Sequence, residues 1–141
     1  MIITIIGAGM MGSALAFPAR ENGHEVRLVG TPLDKDIISS CLNCNQHPKF
    51  DLPFPDGGQF YYFEEMNKAI ENVDFIIGGV SSFGVEWFLT EVLMKIQPNI
   101  PVISVTKGLI SLEDGKLISY PEYWEQALAK NGIHREIYAI G

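Results

Sequence analysis

Cysteine is scarce in this chain, basic side chains are outnumbered, and no apolar run is long enough to cross a membrane. The two cysteines, Cys41 and Cys44, form one CxxC pair in 141 residues. A structural zinc centre needs four ligands, and His47 is the only near candidate for a third, so no metal site is expected. The pair reads as two reduced thiols of a cytoplasmic protein. Lys and Arg number 10 against 17 Asp and Glu, a formal charge of −7. Such a surface argues against a general nucleic-acid partner, because a phosphate backbone demands clustered cations. No stretch of ~18 apolar residues occurs, so no membrane span is expected. The apolar start lacks the basic leader of a signal peptide. Disorder is excluded by the opposite measure: 47% of the residues are hydrophobic, enough for the core of one ordinary domain.

What is present begins at the amino terminus. Residues 1–15, MIITIIGAGMMGSAL, read as a short apolar strand, a turn carrying Gly7, Gly9 and Gly12, and the start of a helix. This is the G-x-G-x-x-G spacing of a dinucleotide fingerprint. Each glycine has its own expected job. Gly7 makes the tight turn out of the strand, Gly9 lets a pyrophosphate approach the backbone, and Gly12 lets the helix lie close to the strand. The phosphates would sit at the helix N-terminus, where free N–H groups and the helix dipole favour an anion. An ordinary βα turn could carry the same spacing. The flanks favour the cofactor site, since Ile2, Ile3, Ile5 and Ile6 form the β-branched run of a strand buried on both faces.

Strand and helix then alternate to the end. Residues 11–22 read as a helix with Ala14, Leu15 and Phe17 on its apolar side and Pro18 placed to kink it. Residues 25–30 form the second strand. NAD-selective domains carry Asp or Glu at its tip, about 20 residues past the glycines. Here the tip reads GTPL, without a carboxylate. Asp34 and Asp36 fall on the next helix, 33–42, with Lys35 between them and Ile37, Ile38 and Leu42 facing inward. The expectation is NADP, or a site that takes NADP or NAD. Residues 43–58 read as a long surface loop, of the kind that is often functional. An aromatic strand (60–63), a helix (64–72) and a buried strand (73–80) follow. In doubly wound sheets ligands lie beyond the C-terminal ends of the strands, so residues 80–83 should line the cofactor crevice. The helix 85–96 is too apolar for a single buried face. Strand 101–106 delivers Lys107 to the same edge, followed by a loop (109–115), a helix (116–130, with Pro121 near a break) and a last strand (136–140). This order implies an α/β chain with right-handed crossovers and helices on both faces of a doubly wound parallel sheet.

Taken together, the stretches resemble the N-terminal half of a bacterial-type NAD(P)-dependent glycerol-3-phosphate dehydrogenase. GAGMMGSALA (7–16) resembles the family's fingerprint, NGHEVRLVG its second strand, HPKFDLPFP (47–55) its Leu-Pro loop, and SVTKGL (104–109) its strand ending in Thr-Lys-Gly. LEDGKLIS (112–119) resembles the segment after it. The resemblance covers essentially the whole chain and implies one Rossmann-type domain over residues 1–141, with the family's C-terminal helical domain absent. It assigns cofactor binding to Gly7, Ala8, Gly9, Met10, Met11, Gly12, Thr31, Val80, Ser82 and Lys107, and substrate contact to Lys107 and Gly141. The implied reaction is hydride transfer between glycerol 3-phosphate and dihydroxyacetone phosphate, with NADP or NAD as cofactor and a small phosphorylated substrate as partner. Relatives are commonly homodimers. No catalytic residue falls within these 141 residues, since the family's acid–base lysine lies in the helical domain, so the chain alone is expected to turn over negligibly. Two departures stand out: Ser81 replaces the Pro of the family's Val-Pro-Ser segment, and Thr31 replaces a basic residue. The alternatives are a stand-alone nucleotide-sensing module and the N-terminal half of another two-domain enzyme, such as a ketopantoate reductase.

Overall fold

Six parallel strands form the sheet of this computed structural model, which describes residues 1–140. Gly141 lies outside the described residues. Strand β1 (Ile2–Ile6) has β2 (Glu25–Val29) on one side and β4 (Phe75–Gly78) on the other. The full order is β3-β2-β1-β4-β5-β8, with β3 at Gln59–Tyr61, β5 at Val102–Ser104 and β8 at Ile137–Ala139. The chain winds outward from β1 to β3 and then returns to place β4 beside β1. The order therefore reverses between β1 and β4, where doubly wound sheets open a crevice.

The period-2 alternation of strand side chains sorts the core into two layers. Ile3, Ile5, Val26, Leu28 and Ile77 face one side, with Ala16 of α1 (Met10–Glu21) and Ile38 and Cys41 of α2 (Lys35–Cys44). Ile6, Val29, Ile76 and Val102 face the other, against α3 (Met66–Ala69), α4 (Val85–Phe88) and α5 (Tyr120–Lys130). Burying one such aliphatic side chain stabilises the fold by about 1.5–3 kcal/mol. Thr4, the polar member of β1, is fully buried, and its hydroxyl donates to the Ala69 carbonyl at 2.5 Å, capping α3.

Several expectations need correction. Helix α1 buries Gly12, Ser13 and Ala16, whereas Ala14 is exposed. Small residues face the sheet because the helix sits too close to β1 for large ones. In α2, Ile38 and Cys41 face inward while Leu42 is exposed. The expected helix 64–72 is shorter: a 3-10 turn, Phe63–Glu65, leads into α3. Residues 109–115 are not wholly loop, and residues 116–119 are not helical. Leu109–Ser111 (β6) and Leu117–Ser119 (β7) pair as an antiparallel hairpin. Helix α5 begins at Tyr120, with Ser119 as its N-cap and Pro121 in its first turn, where its missing N–H costs nothing.

The helix 85–96 solves its excess of apolar surface with a π turn. After α4 the backbone continues through Leu89–Leu93 with wider winding, and the Met94 N–H reaches back five residues to the Leu89 carbonyl at 3.0 Å. The wider turn lets Phe88, Leu89, Val92 and Leu93 all be buried. Phe88 lies over Gly78, whose Cβ would stand 2.8 Å from its ring. Trp124 of α5 covers Phe88 from the far side, at 5.2 Å between ring centroids.

Candidate functional site

The β1–α1 turn and the β4–α4 turn meet at the reversal point. Gly7 has φ +110°, a conformation that L side chains avoid, and a Cβ there would lie 2.7 Å from the Gly79 backbone. A Cβ on Gly12 would stand 2.5 Å from the Gly7 carbonyl oxygen. Both glycines are thus required by the fold itself. Gly9 is different. Its backbone is extended (φ −66°, ψ 176°), and a Cβ there would find nothing closer than the Gly79 oxygen at 4.0 Å. Nothing in the protein requires a glycine at position 9, and the space beside it is open.

Gly9 caps α1 without a side-chain bond, and the first turn of that helix carries no acidic residue. Among the described residues no acceptor takes the N–H groups of Gly9, Met10, Met11 or Gly12; the first α1 amide bonded to the preceding turn is that of Ser13, to the Gly9 carbonyl at 3.0 Å. A row of free donors at the positive end of a helix fits a phosphate group.

Beside this turn lies a cleft of about 360 Å³. Gly7 and Gly9 form one wall, Thr31, Pro32, Leu33 and Asp34 a second, and Gly79, Val80, Ser81, Phe83, Gly84 and Trp87 a third. Leu33 and Phe83 are almost wholly exposed, at 93% and 97%. Trp87 leans edge-on against Phe63, with ring centroids 5.0 Å apart. The walls are apolar and the glycine turn supplies the donors, as a base and a diphosphate together would need.

The expected site residues gather here unevenly. Gly7, Gly9, Thr31 and Val80 line the cleft. Ala8 and Gly12 are buried within the turn, and Met10 and Met11 are exposed at the start of α1. Ser82 is exposed in a 3-10 turn, Ser82–Gly84, but its neighbours Ser81 and Phe83 form the wall instead. Lys107 is exposed three residues beyond β5 and lines no part of the cleft. The strand end that carries it is tied to the cleft, since the buried Thr106 hydroxyl donates to the Val80 carbonyl at 2.7 Å.

Two residues were not foreseen here. Asp34 does not ride outward on the next helix, and the tip of β2 does have its carboxylate. Thr31 caps a 3-10 turn, Pro32–Asp34, in a reciprocal capping box, and Asp34 accepts the Thr31 N–H at 2.8 Å. The same oxygen accepts the Ala8 N–H at 3.0 Å. Lys35 instead faces Glu64 at 3.6 Å, an exposed pair. The T-x-x-D pattern was the sequence signal for Asp34. His47 is the second. The loop expected on the surface over residues 43–58 starts only after α2, which runs to Cys44, and within it His47 is fully buried and Phe54 nearly so. His47 Nε2 lies 2.9 Å from the Ala8 carbonyl oxygen. No local pattern could reveal a bond spanning 39 residues.

The cysteines take no part. Cys41 and Cys44 are free, one buried and one exposed. Burial pushes the Cys41 thiol up to about 11, away from reactivity. Among the described residues no group of three His, Cys, Asp or Glu is arranged to hold a metal ion.

Residues 2–134 match the family described as the N-terminus of NAD-dependent glycerol-3-phosphate dehydrogenase. The chain is 34% identical over 122 residues to an NADP(+)-dependent glycerol-3-phosphate dehydrogenase of Archaeoglobus fulgidus, covering 86% of this chain and 36% of the relative. It is 31% identical over 109 residues to the glycerol-3-phosphate dehydrogenase [NAD(P)+] of Shouchella clausii, covering 76% and 31%. The chain therefore spans about a third of the length of these curated relatives. Its fold is similar to the crystal structure of glycerol-3-phosphate dehydrogenase from Coxiella burnetii, with TM-score 0.67 and 21% identity over 98% of this chain and 53% of that one. It is likewise similar to the enzyme from Plasmodium falciparum, with TM-score 0.72 and 21% identity over 89% and 37%.

Proposed function

The chain belongs to the family of NAD-dependent glycerol-3-phosphate dehydrogenase N-termini, and from that premise we infer that it is the cofactor-binding part of an enzyme that interconverts glycerol 3-phosphate and dihydroxyacetone phosphate. The observation that carries this reading is Gly9. A residue that could bear a side chain without touching the protein bears none, beside a row of unpartnered N–H groups. A ligand with a phosphate that must come close to the backbone accounts for both.

NAD or NADP is the cofactor of this reading. The diphosphate would rest on the amides of residues 9–12, and the adenosine end between the Thr31–Asp34 turn and the wall formed by Val80 and Phe83. Bound nicotinamide supplies or takes the hydride of the reaction. The chain's own residues hold and orient it there and keep apolar surface against it. In this reading Lys107, exposed three residues beyond β5, would bring positive charge toward an anionic substrate in an otherwise acidic protein. Reduction of a ketone also needs a proton donor beside the carbonyl, and the one carboxylate of the cleft walls, Asp34, is taken up by the Ala8 and Thr31 amides. The reading therefore assigns acid–base chemistry and most of the substrate pocket to the remaining two-thirds of the relatives' length. With it go the finer expectations of a phosphorylated small-molecule substrate, a homodimeric whole enzyme and a cytoplasmic setting.

The test is a substrate panel on the whole enzyme that contains this sequence, with dihydroxyacetone phosphate, ketopantoate and pyruvate as oxidants of NADH and NADPH. Turnover of dihydroxyacetone phosphate alone is the expected result. Turnover of ketopantoate in its place would overturn the reading.

A further inference from the structure

Ala8 sits between two side chains that arrive from distant parts of the chain. It is fully buried. Its N–H donates to Asp34 Oδ2 at 3.0 Å, and its carbonyl oxygen lies 2.9 Å from His47 Nε2. His47 Nδ1 accepts the Lys49 N–H at 3.1 Å, so Nδ1 carries no proton and Nε2 is the donor. The imidazole is stacked on Phe50, with centroids 4.5 Å apart and planes 25° apart. Its position and its tautomer are both fixed.

The consequence lies in the next peptide. A trans peptide is planar, with its C=O and N–H pointing in opposite directions. Holding the Ala8 carbonyl toward His47 therefore holds the Gly9 N–H away from it. Gly9 is the residue at which this orientation is hardest to keep. Without a Cβ it tolerates nearly any backbone angle, and no neighbour lies closer than 4.0 Å to where a Cβ would be. A rotated Ala8–Gly9 peptide would present a carbonyl oxygen where an anion needs a donor. Asp34 fixes the preceding peptide on the opposite side and joins the glycine turn to the Thr31 turn through one oxygen.

We propose that His47 is a positioning residue that locks the Ala8–Gly9 peptide with its N–H turned outward, and so sets the affinity of the glycine turn for a diphosphate. This rests on the cofactor reading above. His47 acts through the Ala8 carbonyl and does not touch the ligand. The loop of residues 45–58 then has a function in the site that it does not line: it carries the latch of the phosphate turn.

The test compares His47→Leu, which removes the donor, with His47→Gln, whose amide can still reach the Ala8 carbonyl. NADH binding is followed by fluorescence, and ADP and adenosine are measured as competitors. His47→Leu should weaken NADH and ADP about tenfold or more and leave adenosine within about twofold of wild type. His47→Gln should restore ADP to within about threefold. A merely structural role would weaken ADP and adenosine alike, and that result overturns the proposal, as does an unchanged ADP affinity in His47→Leu. If His47→Leu does not fold, His47→Asn replaces it; its amide is one methylene too short to reach, and the same selective loss is required. Failure of the wild-type chain to bind NADH, NADPH or ADP would overturn the cofactor reading and the latch together. Wild-type binding with unaltered selectivity in the variants overturns the latch alone.

Discussion

Gly7, Gly9 and Gly12 share one motif but answer to different forces, and substitution separates them. Alanine at position 7 must hold a positive φ and meet backbone at 2.7 Å; at position 12 it meets the Gly7 carbonyl at 2.5 Å. Each substitution should cost about 3 kcal/mol or more of stability in urea unfolding, because backbone on both sides cannot yield. Gly9→Val should stay within about 1 kcal/mol of wild type, the scale of a changed N-cap residue, yet lose NADH affinity at least tenfold. If Gly9→Val instead unfolds the chain, position 9 is a packing position and the argument from it fails. The motif and a separate task for each of its glycines were legible in the sequence, but the contact that presses on Gly7 was not: it comes from Gly79, 72 positions further on, which no local spacing reports.

Cys41 gives a second prediction at this scale. Its thiol is raised from an ordinary value of 9.0 to about 11 by burial. The unfolded chain therefore loses the proton first, and stability present below about pH 9 is lost as pH rises toward 11. About two pH units correspond to roughly 2–3 kcal/mol. The unfolding free energy of wild type should fall over that window relative to Cys41→Ala, in which this loss is absent. Parallel pH profiles for the two proteins would contradict the burial argument. At neutral pH a thiol reagent should label Cys44 quickly and Cys41 only on unfolding.

At the scale of elements, the buried bond between α5 and α4 is made by Trp124. Trp124 is fully buried, and its Nε1 donates to the Val85 carbonyl at 2.9 Å. Trp124→Phe should cost about 1–3 kcal/mol, mostly the lost bond and the volume of the indole, and Trp124→Ala about 3–5 kcal/mol. Urea unfolding measures both. A near-neutral Trp124→Ala would mean that α5 contributes little to the core. Tyr123 adds a contact nearer the surface, where its hydroxyl donates to the Glu86 carboxylate and is pushed up to about 12 by that bond.

Elements were readable where pattern and burial agree. The β-branched run of β1 and the short apolar stretches of β2 and β4 made the parallel core readable, because central strands buried on both faces have little other choice of residue. The β6–β7 hairpin was missed because each strand is only Leu-Ile-Ser, three residues, too short to show a period of two. The inward face of α1 was misplaced because apolar size was taken to mark the buried side. Close approach to β1 selects small residues there, Gly12, Ser13 and Ala16. The π turn has no sequence signature beyond an excess of apolar residues, and it is how the fold buries them.

For the molecule as a whole, the claim is that residues 1–140 build a nucleotide-holding edge on a six-stranded sheet, with three turns converging where the strand order reverses. The sequence pointed to all three turns, through Gly7, Gly9 and Gly12, through Thr31, and through residues 80–83. It did not show that Asp34 and His47 bind the first turn to the rest, because those contacts span 26 and 39 residues. The measurement that tests the claim most directly is a fluorescence titration of this chain with NADH and NADPH at equal ionic strength, alongside folded Gly9→Val. The account predicts saturable binding of at least one cofactor by wild type and at least tenfold weaker binding by the variant. Equal binding by both proteins, or none by a cooperatively folded wild type, would contradict it.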